Sequence, residues 1–286
     1  MKPLAQWPVD SRRAIRGVFT DIDDTLTHDG HIAPEALQAL GDLKAAGLTV
    51  IPITGRPIGW CEPFMAGTDG AAWPVDAMVA ENGAVAFVPG AANSITSQIG
   101  LQRPPTMRNA LSKRYQQSTE VRTANRLHMD AIAAQVCAEV QGMELSRDST
   151  GRETDLAFDY AEFAQHAPET VQRVLALLQS HGMQTTVSSI HIHGCFGEFN
   201  KWTGACWIVR ELLGRDLSAD LDQWVFVGDS GNDQAMFQHF THSAGVANIT
   251  RFVPQLSHLP TYVTPSARGA GFAEVAQAIL AAKDHD

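Results

Sequence analysis

Short apolar runs alternate with helical patterns in the first third of the chain. An apolar run that ends at residues 18–20 predicts a buried strand, and residues 34–44 place three leucines on one helical face. A β-branched run at residues 48–53 predicts the next strand. Because a strand, a helix and a second strand follow in this order, we expect the two strands to pair in parallel through a right-handed crossover.

A tighter unit follows this first crossover. Residues 77–80 and 84–88 have the pattern of two more short strands, and Glu81-Asn82-Gly83 lies between them. Asn-Gly is a strong signal for a tight turn, because both residues tolerate positive φ angles. The pattern therefore favours an antiparallel hairpin over a binding site at these three residues.

The middle of the chain has a different pattern. Residues 89–105 are rich in Gly, Ser, Asn and Pro, which indicates a boundary loop. The predicted elements that follow are helices at 106–118, 126–140 and 168–180 and strands at 154–158, 184–188 and 190–193. We interpret this stretch as a separate α+β unit inserted into the first domain.

After residue 200 the alternation of strands and helices returns. The predicted elements are helices at 202–213, 233–240 and 272–282 and strands at 224–227, 244–246 and 262–263. The predicted fold class is therefore α/β, with a doubly wound, mostly parallel sheet formed by residues 1–89 and 192–286. The α+β unit at residues 90–191 interrupts this core.

Charge and composition narrow the range of partners. A net charge of −10 argues against binding nucleic acid through a broad basic surface. No apolar run reaches the length of a membrane span, and the first ten residues lack the apolar core of a signal peptide. The four widely spaced cysteines contain no C-x-x-C pair, a pattern typical of free thiols. We expect a cytoplasmic protein that binds neither nucleic acid nor membranes; these patterns do not indicate its oligomeric state.

Polar residues that can carry chemistry follow the predicted strands or begin a helix. They form four segments: Asp21-x-Asp23-x-Thr25, Thr54, Lys201 and Asp229-x-x-x-Asp233. Open α/β sheets bind ligands at the carboxyl ends of their strands, so we expect these segments to meet in one site.

The residue types in these segments suit the transfer of a phosphoryl group. Clustered carboxylates without His or Cys favour Mg²⁺ as the cation that relieves their repulsion. One carboxylate can attack phosphorus, and a second carboxylate two residues later can protonate the leaving oxygen and then activate water. A hydroxyl and a lysine ammonium can hold the remaining phosphoryl oxygens.

With these residues in this order, the sequence resembles the haloacid dehalogenase (HAD) superfamily of phosphohydrolases. The matching segments are Asp21-Ile22-Asp23-Asp24-Thr25, Thr54-Gly55-Arg56, Lys201 and Gly228-Asp229-Ser230-Gly231-Asn232-Asp233. The long insert before Lys201 is similar to the class IIB cap found in Cof-type and sucrose-phosphate phosphatases. The resemblance therefore implies a HAD-like core with an inserted cap domain.

The resemblance also implies a role for each matching residue. Asp21 would be the nucleophile and a Mg²⁺ ligand, and Asp23 the general acid and base, with its backbone carbonyl on the metal. Asp229 would bind Mg²⁺ directly. The other implied positions are phosphate or substrate contacts at Thr54, Gly55, Arg56 and Lys201 and support of the metal or of Lys201 by Asn232 and Asp233.

The implied function is Mg²⁺-dependent hydrolysis of a phosphomonoester through an aspartyl-phosphate. A sugar phosphate or a similar small phosphorylated metabolite is the implied substrate. Two alternatives stay open: a phosphomutase of the phosphomannomutase kind, and a non-catalytic sensor of a phosphorylated metabolite. An Asp at position 23 separates the chain from the transport ATPases of the superfamily, which carry Thr there.

Two further features have several interpretations. Arg56 is able to pair with a carboxylate, hold the cap or touch the substrate. In His191-Ile192-His193-Gly194-Cys195, strand alternation places both histidines and the cysteine on one face. This pattern allows a zinc site, but no fourth ligand lies nearby in the sequence, so a packing or substrate-facing role is favoured.

Overall fold

The computed structural model describes residues 1–68, 70–90 and 111–283. Its strands are β1 (Lys2–Pro3), β2 (Gly17–Thr20), β3 (Thr27–His28), β4 (His31–Ile32), β5 (Thr49–Pro52), β6 (Met78–Ala80), β7 (Val85–Pro89), β8 (Leu111–Tyr115), β9 (Asp155–Asp159), β10 (Gln184–Val187), β11 (His191–Cys195), β12 (Trp224–Gly228), β13 (His242–Gly245) and β14 (Tyr262–Val263). Its α-helices are α1 (Val9–Ala14), α2 (Pro34–Ala45), α3 (Ile58–Ala66), α4 (Thr119–Glu139), α5 (Pro168–Ser180), α6 (Lys201–Leu213), α7 (Gln234–His239) and α8 (Arg268–Lys283).

The core is a six-stranded sheet in which every pairing is parallel. Its strand order is β1-β14-β13-β12-β2-β5. The chain moves from β2 to one side to form β5 and later returns to the other side of β2 to form β12. The predicted doubly wound α/β fold is confirmed, and the crevice between β2 and β12 is its topological switch point.

Alternation along the buried strands divides the core into two apolar clusters on opposite faces of the sheet. Val18 and Val50 belong to one cluster, and their neighbours Phe19 and Ile51 belong to the other. The first face is covered by helices that include α2 and α8, and the second by α6 and α7. Because both faces are covered, the strands are continuous apolar runs, as parallel strands require.

A small antiparallel sheet, β6-β7-β8, extends the core beside β5 through a parallel bridge between Ile53 and Val79. The predicted hairpin is present, with Glu81-Asn82-Gly83 as its turn. The helix predicted at residues 106–118 is wrong over residues 111–115, which form β8; residues 106–110 lie outside the described ranges. The strand forms because β7 offers a partner edge, a long-range pairing that a local helical pattern does not contain.

A second antiparallel sheet, of order β10-β11-β9, is packed against α4 and α5; we call this unit the cap. Leu156, Phe158 and Ile192 on one face of the sheet join the apolar cluster beneath these helices. The other face carries buried polar side chains and is turned to the core. The predicted domain boundaries at residues 90 and 191 stay a prediction. Part of the predicted insert, β8, pairs with β7 of the core.

No helix in the described residues is both long enough and apolar enough to cross a membrane.

Candidate active site

Three loops that follow neighbouring strands of the sheet place Asp21, Thr54 and Asp229 at the switch point. Each loop continues the pairing of its strand: the Asp21 amide donates to the carbonyl of Val227 at 2.8 Å, and Ile53 donates to Thr20 at 2.8 Å. The side chains of Asp21, Thr54 and Asp229 are all buried. The expectation that the carboxyl ends of these strands gather the polar segments is met in the fold.

Lys201 joins this group from the first turn of α6. Its Nζ lies 2.7 Å from Oδ1 of Asp21 and 2.7 Å from Oδ1 of Asp233, and its side chain is completely buried. Asn200 caps the helix by accepting from the amide of Thr203, which fixes the direction in which Lys201 leaves the backbone. Burial opposes the charge of Lys201, but Asp21 and Asp233 outweigh it and raise the pKa of Lys201, so the ammonium stays protonated.

Asp233 organises the loop after β12. Its Oδ2 accepts from the amides of Asp229 and Ser230 at 2.8 and 2.9 Å, while Oδ1 accepts from Lys201. A Cβ at Gly228 would lie only 2.4 Å from this carboxylate, so the turn needs glycine there. Asp233 therefore positions Asp229 and Lys201 at once.

Asp21, Asp229 and Asp233 each offer an oxygen within 4.8 Å of the other two, the only such group of His, Cys, Asp or Glu ligands found in the described ranges. Burial raises the pKa of Asp21 to about 8, with a further increase from Asp233 and a partial decrease from Lys201. Burial and the neighbouring charge of Asp21 also raise the pKa of Asp229 well above its usual range. Buried oxygen ligands that repel one another fit a hard divalent cation.

The Thr54–Gly55–Arg56 loop is held between the sheet and the hairpin turn. The Thr54 amide donates to Val79 at 2.9 Å, and the Thr54 carbonyl accepts from the amide of Asn82 at 3.0 Å. The Thr54 hydroxyl accepts from the Arg56 amide at 3.0 Å, which directs the hydroxyl within the loop. Asn82 also accepts from the side chain of Asn232 at 2.9 Å, so the turn supports the site although we predicted only a hairpin there.

Arg56 connects the core to the cap through three carboxylates. In the core, its guanidinium donates to Asp23 at 2.9–3.1 Å through Nε and Nη2. From the cap, Asp148 lies 3.1 Å and Glu162 2.7 Å from its terminal nitrogens. Of the three interpretations of Arg56, pairing with a carboxylate and holding the cap are both observed.

Asp24 lies apart from the cluster formed by its neighbours. Its φ of 56° turns the chain, and its carboxylate pairs with Arg251 and Arg268 at 2.8 Å each. Asn248 donates to the Asp24 carbonyl and to Asp229, both at 3.0 Å. We had predicted no role for these two arginines, nor for Asp148 and Glu162, because no local motif marks them.

The His191/His193 pair makes separate contacts with two carboxylates of the cap. Nε2 of His191 lies 2.8 Å from Glu162, and Nδ1 of His193 lies 3.1 Å from Asp155. Within the part of the chain that the structure describes, neither histidine belongs to a group of three metal-binding side chains. The zinc interpretation therefore has no support among these residues, and the packing or substrate-facing role stays a prediction.

Among the described residues, two of the cavities between the cap and the core border the loop that carries Asp23. The smaller, about 10 Å³, is lined by Asp21, Asp23 and Gly55 from the core and by residues 188–191 and His193 from the cap. The larger, about 460 Å³, shares Asp23 and Arg56 with it and opens toward Arg251 and Arg268. Asp21 and Asp23 thus line a small enclosed cavity, and a chamber of ligand size adjoins it.

Comparison with known proteins gives a family match for part of the chain. The profile of a family described as haloacid dehalogenase-like hydrolase matches residues 18–123. No protein with a curated description matches the sequence significantly.

Solved structures share the fold over nearly the whole chain. A haloacid dehalogenase-like hydrolase from B. subtilis is 12% identical with a TM-score of 0.62, covering 92% of this chain and 99% of that one. The sucrose-phosphatase of Synechocystis, solved with sucrose and phosphate, is 15% identical with a TM-score of 0.62, covering 93% and 98%. The C-terminal domain of a C. albicans trehalose-6-phosphate phosphatase is 12% identical with a TM-score of 0.64, covering 98% of each chain. The family match over residues 18–123 makes this part of the chain similar to haloacid dehalogenase-like hydrolases, and the solved structures show that the whole chain shares their fold.

Proposed function

We propose that the protein is a Mg²⁺-dependent phosphomonoester hydrolase that works through an aspartyl-phosphate on Asp21. The observation that carries this proposal is the buried pair of Asp21 and Lys201, 2.7 Å apart at the switch point of the sheet, with Asp229 beside it. A carboxylate held next to a fixed ammonium is placed to attack a phosphoryl group whose charge the ammonium offsets.

The two acids of the first loop take different parts. An Asp21 oxygen forms a bond to phosphorus as the bond from phosphorus to the leaving oxygen breaks, and Asp23 gives a proton to that oxygen. Asp23 then takes a proton from the water that attacks the aspartyl-phosphate, which releases phosphate and regenerates Asp21. Thr54 and Lys201 bind the phosphoryl oxygens, and Asp233 holds Lys201 in place.

Magnesium fits the ligands present at this site. Asp21, Asp229 and the backbone carbonyl of Asp23 would hold the ion, with Asn232 and Asp233 supporting the loop around it. When bound, Mg²⁺ neutralises charge on the phosphoryl group and on the two buried carboxylates.

A sugar phosphate is the substrate class that the adjoining chamber favours. The chamber volume, about 460 Å³, lies in the range of small-molecule sites. The three arginines that line it, Arg56, Arg251 and Arg268, are all paired with Asp23, Asp24 or Glu162. The described lining of the chamber therefore has no unpaired arginine with which to bind a second anionic group of the substrate. The chamber is lined by these ion pairs and by the polar side chains of Gln165 and Ser189, a lining that suits a polyhydroxyl leaving group. Two structural neighbours are named as phosphatases of disaccharide phosphates.

Cap movement is part of the proposed cycle. We propose that the insert at residues 90–191, with β11, acts as the cap domain and opens to admit the ester. The enclosed cavity of about 10 Å³ has room for little more than one water molecule. Closure over the bound ester then excludes bulk water during the transfer.

The test is a phosphatase screen with and without Mg²⁺ over sugar phosphates, nucleotides and small phosphate esters. We expect phosphate release that depends on Mg²⁺ and falls by at least about a thousandfold in Asp21→Asn. Asp42→Asn, at an exposed carboxylate on α2, is the matched control and should keep full activity. Undiminished activity in Asp21→Asn would show that Asp21 is not the nucleophile.

The same screen separates the alternatives. Phosphate release without a bisphosphate activator excludes an obligate phosphomutase. Tight binding of an ester without any release would indicate a sensor and contradict the proposal.

A further inference from the structure

Three buried polar side chains on the core-facing side of the cap lie directly over the Thr54–Gly55–Arg56 loop. Arg152 donates to both oxygens of Asp155 at 2.9 and 3.0 Å and to the carbonyl of Gly55 at 2.9 Å. Asp155 also contacts Nδ1 of His193 at 3.1 Å. Arg152, Asp155 and His193 are each at most 5% exposed, so the cluster is built into the closed interface.

The hydrogen bonds of this cluster decide which nitrogen of His193 carries the proton. Burial, together with the charge of Arg152, holds the pKa of His193 well below its usual range, so the ring is neutral at pH 7. Burial raises the pKa of Asp155 to about 6, which still leaves it ionised at pH 7 beside Arg152. A carboxylate only accepts, so Nδ1 of His193 donates to Asp155 and Nε2 is left as a lone-pair acceptor.

That acceptor has no hydrogen-bond partner in the described structure. Nε2 of His193 is buried without a donor, a costly arrangement for a polar atom unless a ligand completes it. Nε2 lies close to Gly55, since a Cβ at that position would be only 2.9 Å from it. His193 also lines the small cavity that contains the carboxylates of Asp21 and Asp23.

Nε2 of His193 is therefore a fixed hydrogen-bond acceptor in the same cavity as Asp21 and Asp23. A phosphoryl dianion has no proton to offer Nε2, whereas a hydroxyl on the leaving group has one. Asp155 and Arg152 hold the ring from behind, so little freedom is lost when the hydroxyl binds.

We propose that His193 is a specificity-determining residue whose Nε2 accepts a hydrogen bond from a leaving-group hydroxyl close to the ester oxygen. The inference rests on the proposed hydrolase function and adds the class of ester selected: one that carries a hydroxyl next to the phosphorylated position. His191, two residues earlier on the same face, is already paired with Glu162 and has no such role.

The test uses two esters that differ only in hydroxyl groups. One is glycerol phosphate that carries its phosphate on a terminal carbon, and the other is propyl phosphate. The full-length protein with Mg²⁺ is measured as wild type, as His193→Leu, which has no acceptor, and as His193→Gln, which keeps one. We expect wild type to prefer glycerol phosphate in kcat/KM, and His193→Leu to lose about threefold to tenfold on that ester alone. His193→Gln should recover much of the preference.

Each contrary outcome has a distinct meaning. If His193→Leu loses kcat/KM equally on both esters, or has a lowered unfolding midpoint with an unchanged preference, His193 has only a packing role. Either result would overturn the inference but not the proposed hydrolase function. A wild type without preference for the hydroxylated ester would overturn it as well. A wild type that hydrolyses neither ester, nor any ester of the wider screen, would overturn the proposed function and this inference with it.

Discussion

Lys201 occupies the centre of the site at the scale of single residues. It is completely buried, and its ammonium is shared between Asp21 and Asp233, each at 2.7 Å. A buried cation is tolerable only when its partners are fixed and hydrogen bonded, and both conditions hold here. The three acids of the Asp21–Asp24 segment each have a different cationic partner: Asp21 faces Lys201, Asp23 faces Arg56, and Asp24 faces Arg251 and Arg268.

Replacing Lys201 by methionine should lower stability as well as activity. The substitution leaves Asp21 and Asp233 buried without their cation, and breaking a buried ion pair on one side costs about 3–5 kcal/mol of unfolding free energy. Denaturant unfolding measures this change. Lys113→Met, which removes a half-exposed pair with Glu153, is the control and should cost about 1 kcal/mol or less. Similar losses in the two variants would mean that Lys201 is not held as described.

At the scale of elements, the position of α6 depends on a close approach between two glycines. A Cβ at Gly204 would lie 2.4 Å from the Cα of Gly83 in the hairpin turn, so the helix and the turn touch through backbone. Lys201 lies one turn earlier on the same helix. The spacing of Lys201 from the sheet is therefore set by this contact.

Gly204→Ala should move α6 away from the turn and lower both stability and phosphate release. Overpacking of this kind costs about 1–3 kcal/mol, measured by thermal or denaturant unfolding. Gly41→Ala in α2 has nothing within 4 Å of its added methyl group and should instead stabilise the protein by about 0.5–1 kcal/mol. If both variants gained stability, the Gly83–Gly204 contact would not be constraining the helix.

Glu81 connects three elements, and its raised pKa predicts that the free energy of unfolding depends on pH. Its buried carboxylate accepts from the amide of Ile58 at 3.1 Å and from the amides of Glu153 and Thr154, at the start of the cap sheet. Burial, with a further increase from Asp155, raises the pKa of Glu81 from 4.5 to about 7. The folded protein thus binds this proton more tightly than the unfolded chain does.

The sign follows from that difference. Stability from Glu81 is complete below pH 4.5 and is lost as the pH rises through about 7, a change on the order of 3 kcal/mol. Glu81→Gln should flatten this part of the profile of unfolding free energy against pH, whereas the exposed Glu35→Gln should leave it unchanged. A wild-type profile that rises with pH across this window, and keeps the same slope in Glu81→Gln, would contradict the assignment.

For the whole molecule, Arg56 is the main ionic contact between the core and the cap near the site. It holds Asp23 in the core and Asp148 and Glu162 in the cap, and burial of the group strengthens these contacts. Both carboxylate oxygens of Asp23 therefore accept hydrogen bonds from Arg56 in this structure. In the proposed cycle, the cap therefore opens and Asp23 is released through changes at the same guanidinium.

Glu162→Gln should therefore let the cap open more often. Loss of one charged hydrogen bond to Arg56 is expected to raise amide hydrogen exchange about fivefold or more in residues 188–193 and 54–56. Mass spectrometry of exchange measures this change, and Glu169→Gln, at an exposed glutamate on α5, serves as the control. Exchange that stays at the wild-type rate in Glu162→Gln would mean that other contacts hold the cap closed.

Much of the fold was predictable because its signals are local. Hydrophobic period, a proline in the first turn and capping residues are properties of neighbouring positions, and they located α2, α5 and β12 to within one or two residues. The positions of the candidate site segments were predictable for a related reason, since each directly follows a strand or starts a helix. The strand β8 was not, because its partner β7 lies across residues 91–110 of the chain.

The sequence by itself determined the parallel sheet, the polar segments at its carboxyl edge and the residue types that suit phosphoryl transfer. Only the tertiary structure decided which charges face one another: Arg56 with Asp148 and Glu162, Arg251 and Arg268 with Asp24, and the unpaired nitrogen of His193 over Gly55. These contacts join residues far apart in the chain. Their energies depend on burial and distance, which no local pattern encodes, so the contacts between the cap and the core become visible only once the chain is folded.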